Sequence, residues 1–191
     1  QLPQRHGRMG AGDETDAYLS FTRKVGDVDG DGYDEWAMGA HGAHGYRGEV
    51  YLFYGSSTAL SGQYDPNDGD AAIRGTEFYD YTGRNMAGAD LDDDGANELL
   101  IGAWASDEGA SDGGAIFILP GGAYSGTYAI ADITQTSLLA SESNEYLGRA
   151  FATGDLDADG YIDVIGGGYY ARNDQGYSGS GGVWAWLGTG W

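Results

Sequence analysis

The chain has no cysteine, so neither disulfides nor thiolate metal sites can brace it. Proline is scarce, at 3 residues. No apolar run approaches the ~18–20 residues that a membrane-spanning helix needs. No basic stretch leads into an apolar one, so no signal peptide is expected within this sequence. Cations are few: 9 Lys and Arg stand against 30 acids, for a formal charge of −21. Phosphate backbones and anionic lipid surfaces need clustered Lys and Arg, so nucleic acid and membrane insertion are not expected as partners. There is no H-E-x-x-H, no phosphate-binding P-loop and no cysteine nucleophile, and the chain is expected not to be an enzyme.

What the chain has is glycine, 36 of 191 residues, and aromatic side chains at 13%. Short apolar bursts between glycine-rich turns read as an all-β protein. One stretch, "GDVDGDGYDEWAMGA" (Gly26–Ala40), crowds five carboxylates into nine positions. It returns as "GADLDDDGANELLIGA" (Gly88–Ala103) and "GDLDADGYIDVIGGG" (Gly154–Gly168). The first aspartates, Asp27, Asp90 and Asp155, lie 63 and 65 residues apart, the mark of a repeat.

The surroundings repeat too. Ser20, Gly83 and Gly148 stand seven residues before each first Asp, and Gly39, Gly102 and Gly167 twelve after it. Third bursts follow at Gly48–Gly55, Gly114–Gly121 and Gly182–Gly188. Fourth strands are expected near Asp70–Thr76 and Thr136–Ser143, with none in the third unit. The units run 17–76, 77–143 and 144–191, the last lacking its final strand. Residues 1–16 form an N-terminal segment that could supply a completing strand. Four antiparallel strands per unit of about sixty residues outline a propeller blade.

Numbered from its first Asp, each loop offers carboxylates at positions 1, 3 and 5: Asp27, Asp29, Asp31; Asp90, Asp92, Asp94; Asp155, Asp157, Asp159. Position 6 is always Gly, permitting a sharp bend. Position 7 (Tyr33, Ala96, Tyr161) offers a carbonyl, and position 9 (Glu35, Glu98, Asp163) a closing carboxylate. Calcium takes six to eight oxygens at about 2.3–2.6 Å, which such a loop can supply, whereas magnesium holds its waters. An EF-hand would need Glu at position 12 and flanking helices, but that position is Met38, Ile101 or Gly166. Three copies in register point to a repeated structural role, with about three Ca2+ ions, one per repeat, acting as staples. A single acid pair for catalysis would not need three.

With its glycine-flanked strands, D-x-D-x-D-G-x-x-[DE] loops and "GA" steps, nearly the whole chain resembles FG-GAP repeats. These are the blades of integrin alpha-subunit propellers and of many bacterial surface proteins. The "FG" is degraded to Leu19-Ser20, Thr82-Gly83 and Leu147-Gly148. The resemblance implies calcium on loop positions 1, 3, 5, 7 and 9, with ligand recognition on the opposite face. It also implies an extracellular or cell-surface, secreted setting. Family propellers usually have seven blades, and this chain has three. The ring is therefore incomplete unless a longer chain or other subunits complete it through blade edges, as a closed oligomer or a fibre.

The loops after the "GA" step vary in length and carry His41, His44, Tyr46, Trp104, Tyr169 and Tyr170, candidates for contact with a glycan or protein ligand. The leading expectation is a non-catalytic, calcium-binding module for adhesion or for building a surface or matrix assembly. The rival is a propeller appendage of a carbohydrate- or lipid-active secreted enzyme.

Overall fold

The computed structural model describes residues 17–58, 61–173 and 175–189. The segment 1–16, with its expected completing strand, lies outside the described residues. Among the described residues the protein is all-β, with twelve strands in three sheets and a few short helical turns.

The first sheet holds β1 (Leu19–Gly26), β2 (Glu35–Ala40), β3 (Glu49–Phe53) and β4 (Ala71–Arg74), each antiparallel to the next. The second holds β5 (Thr82–Ala89), β6 (Glu98–Ala103), β7 (Ala115–Leu119) and β9 (Thr136–Leu139), also antiparallel. The third has three strands, β10 (Ala150–Gly154), β11 (Asp163–Gly168) and β12 (Gly182–Trp186). Each acidic stretch joins the first two strands of its sheet, and all three position-6 glycines take the positive φ that the bend requires: Gly32 +92°, Gly95 +96°, Gly160 +96°.

One strand departs from the repeat. β8 (Gly126–Ala129), in the connection from β7 to β9, leaves its own sheet and pairs in parallel with β4 of the first. The first sheet therefore has five strands. Its outer edge is covered by chain that belongs, in sequence, to the second repeat.

The sheets stack face to face. Val25, Ala37, Val50, Leu52 and Ile73 of the first meet Leu99, Ile101, Phe117 and Leu119 of the second. The second sheet's other face, with Leu100, Ile116, Ile118 and Leu138, meets Val164, Trp184 and Trp186 of the third. Strands β2 and β6 are buried on both faces, which is why they read as unbroken apolar runs instead of alternating ones. Two glycine contacts set the spacing. A Cβ on Gly39 would sit 1.9 Å from the Gly83 carbonyl oxygen, and one on Gly102 2.0 Å from that of Gly148. Adjoining sheets thus touch backbone to backbone where the "GA" step meets the next first strand.

Candidate functional site: acidic loops at one end, an aromatic ladder at the other

In the first loop the Asp27 carboxylate accepts from the backbone N–H groups of Gly30 (2.7 Å), Asp31 (3.0 Å) and Gly32 (2.8 Å), and Asp31 accepts from Tyr33 (2.8 Å). The second loop repeats this with Asp94 and Gly95 on Asp90, and the third with Gly160 on Asp155. The carboxylates are drawn inward. Oxygens of Asp27, Asp29 and Asp31, of Asp90, Asp92 and Asp94, and of Asp155, Asp157 and Asp163 lie within 4.8 Å of one another in each loop. That spread is about twice a calcium–oxygen bond length, so a hard divalent cation fits among them.

The acid at position 9 has a second role, one that its sequence position does not disclose. Glu35 is buried and accepts from Val28 N–H (2.6 Å) and from Gly55 N–H (3.1 Å) beyond β3. Glu98 does the same for Leu91 (2.7 Å) and Gly121 (3.1 Å), and Asp163 for Leu156 (2.7 Å) and Gly188 (2.7 Å). Each stitches the start of its loop to the end of the third strand. Burial pushes the Glu35 and Glu98 carboxyls up, against the pull of these N–H donors, and Asp29 or Asp92 adds like charge. The loops also bind each other's repeats. Asn97 donates from its backbone to the Asp27 carbonyl (2.7 Å) and from its side chain to the Val25 carbonyl (3.0 Å).

At the opposite end of the sheets stands a row of rings. Tyr18 packs on His41 (5.5 Å between centroids), His41 on Tyr81 (6.4 Å), Tyr81 on Trp104 (4.6 Å), Trp104 on Tyr146 (5.4 Å) and Tyr146 on Tyr169 (5.1 Å). Tyr46 and Tyr170 flank it, 5.3 Å from Tyr81 and 6.4 Å from Tyr146. His44 reaches Glu49 (2.8 Å), which also accepts from Tyr51 and Arg74. His41, Trp104 and Tyr169 were expected here from the sequence, whereas Tyr18, Tyr81 and Tyr146 were not. The signal was present: each lies nine residues before its first Asp. All three hold positive φ (50°, 55° and 59°), a strained conformation for a bulky residue.

Arginines lean on this row. The Arg149 guanidinium lies 4.6 Å from the Tyr169 ring centre and 5.6 Å from that of Trp104, and Arg84 lies 5.4 Å from that of Phe21. Burial, with the Arg84 charge, pushes the His41 imidazole down. A G-x-S-x-G pattern, not picked out from the sequence, occurs at Gly109–Gly113, but it falls in the turn between β6 and β7 and not on the strand-to-helix elbow of a hydrolase nucleophile. Among the described residues no helix is long and apolar enough to cross a membrane.

No family model matches the chain. Integrin alpha-V of Gallus gallus is 30% identical to it over 166 residues, which cover 84% of this chain but 15% of that protein. The chain is thus similar, across most of its length, to a small part of an integrin alpha subunit.

Proposed function

We propose that this chain is a calcium-stapled, non-catalytic module of β-propeller blades, working outside the cell in adhesion. The observation that carries the reading is the threefold convergence of carboxylate oxygens in loops of one design. Carboxylates at this density repel one another, and a bound cation would reverse that penalty. Asp27, Asp29 and Asp31, with the Tyr33 carbonyl, would hold the first ion. The second falls to Asp90, Asp92, Asp94 and the Ala96 carbonyl. The third falls to Asp155, Asp157, Asp159, Asp163 and the Tyr161 carbonyl. Glu35 and Glu98 would act from behind as stitches. Three ions would take the formal charge from −21 to about −15, and each would pin a hairpin. The likeness to an integrin alpha subunit supports the extracellular, adhesion-related setting. Removing calcium with excess chelator is expected to lower the melting temperature by many degrees, followed by circular dichroism. A melt unchanged in protein shown to be metal-free would overturn the reading.

A second reading, a self-assembling surface building block, is favoured by one observation. At equivalent places in the third strands, Val50 and Ile116 are 0% exposed beneath the next sheet, whereas Val183 is 75% exposed. The outer face of the third sheet has the same design as the packed faces. A second copy, or further blades, would suit it.

A further inference from the structure

Phe21, Arg84 and Arg149 hold one repeat position, each six residues before its first Asp. With Arg23 they line an open groove of about 1250 Å³ along the first strands, beside the ring row. In a chain with 30 acids and 9 bases, three arginines gather there, and among the described residues no carboxylate lines the wall. Elsewhere Lys24 pairs with Asp34 (2.6 Å) and Arg74 with Glu49 (3.0 Å). Among the described residues no ion pair joins Arg84 or Arg149 to an acid. Arg84 is partly buried, and burial together with the Arg149 charge pushes its pKa down.

Each guanidinium lies over an aromatic ring, Arg149 over Tyr169 and Arg84 over Phe21. A guanidinium N–H edge matches a carboxylate or sulfate in bidentate fashion. Beside Arg149, Tyr169 is 49% exposed although Tyr146 and the Arg149 guanidinium lie against its ring, which leaves its edge and hydroxyl open to the hydroxyls of a sugar. Gly167, Gly168, Gly181 and Gly182 of the third repeat complete the lining, which leaves room for a broad ligand to reach the backbone. The acidic loops do not oppose an anion here. Six residues of strand at about 3.3 Å each place them roughly 20 Å away, more than two screening lengths at physiological salt.

We propose that this groove binds an acidic saccharide, with its carboxylate or sulfate on Arg84 and Arg149 and its hydroxyls at the exposed edge of Tyr169. The inference extends the adhesion reading by naming the class of ligand. A polyphosphate or an acidic peptide would meet the arginines but has no ring of sugar hydroxyls to place at the Tyr169 edge.

Isothermal titration calorimetry in calcium tests it with four probes: a hyaluronan hexasaccharide, a heparin-derived hexasaccharide, neutral cellohexaose and hexaglutamate. One or both acidic sugars are expected to bind, with the neutral sugar and the peptide at least about tenfold weaker. Arg84→Gln and Arg149→Gln should each lose about tenfold. Arg149→Lys should fall between them and the parent, because it keeps charge but not the fork. Equal binding of the neutral sugar, equal or tighter binding of the peptide, no binding of either acidic sugar, or an unaffected double Gln variant would each overturn the proposal. The calcium-dependent melt, recorded on the same samples, keeps the two readings apart. If the sugars fail while the melt still responds to chelator, this inference falls and the calcium module stands.

Discussion

Gly39, Gly102 and Gly167 look alike in the sequence, yet their surroundings differ. The first two have no room for a methyl group, since the next sheet's carbonyl oxygen is 1.9 or 2.0 Å from where it would go. At Gly167 the nearest atoms are 3.8 and 4.0 Å away. Gly39→Ala and Gly102→Ala must push two sheets apart and are expected to cost about 1–3 kcal/mol, as overpacking does. Gly167→Ala should fall within about 0.5 kcal/mol of the parent. Urea unfolding of the three variants reads this directly, and equal losses at all three sites would refute backbone-to-backbone stacking of the sheets. The tyrosines at 18, 81 and 146 carry a related lesson. Their constant offset was legible in the sequence, but their positive φ and ring contacts depend on how neighbouring sheets meet.

Among the elements, the acidic loop combines two functions in one motif. The aspartates face a shared centre, and the acid at position 9 fastens the loop to the end of the third strand. The loop's glycine, its Asp spacing and the strands on each side could be read from the sequence, because they are local. The stitch could not, because Gly55, Gly121 and Gly188 lie 20 or more residues further on and act only through their N–H groups. The two functions can be separated. Glu98→Ala would leave the buried Leu91 N–H and the half-buried Gly121 N–H without a partner, a loss on the order of 3 kcal/mol. That loss should appear with calcium and in chelator alike. Asp92→Asn should remove mainly the calcium-dependent part of stability. Melting curves of both variants in the two buffers make the comparison. A loss in Glu98→Ala confined to calcium would mean that the acid serves the ion alone.

For the whole molecule, strand order within each sheet followed from the repeat. The partner of β8 did not. "GTYA" is short, has no clear alternation and pairs with a strand some fifty residues earlier, so nothing near it in sequence announces its place. Assembly belongs to this scale as well. If the outer face of the third sheet receives a second copy, light scattering should give a mass above the 20.1 kDa of one chain. Val183→Asp should return it to that value, because a charge there must be desolvated without a partner. A wild-type chain that stays at one-chain mass would exclude assembly through this face.

The strand that crosses over also orders events in time. Translation delivers β4 well before it delivers β8, so a nascent first sheet has an open edge until about fifty more residues emerge. The repeats are therefore clasped, not merely stacked. A gene rearrangement that lifted out the first repeat alone would carry off a sheet without its fifth strand. One that kept the first two together would keep the clasp.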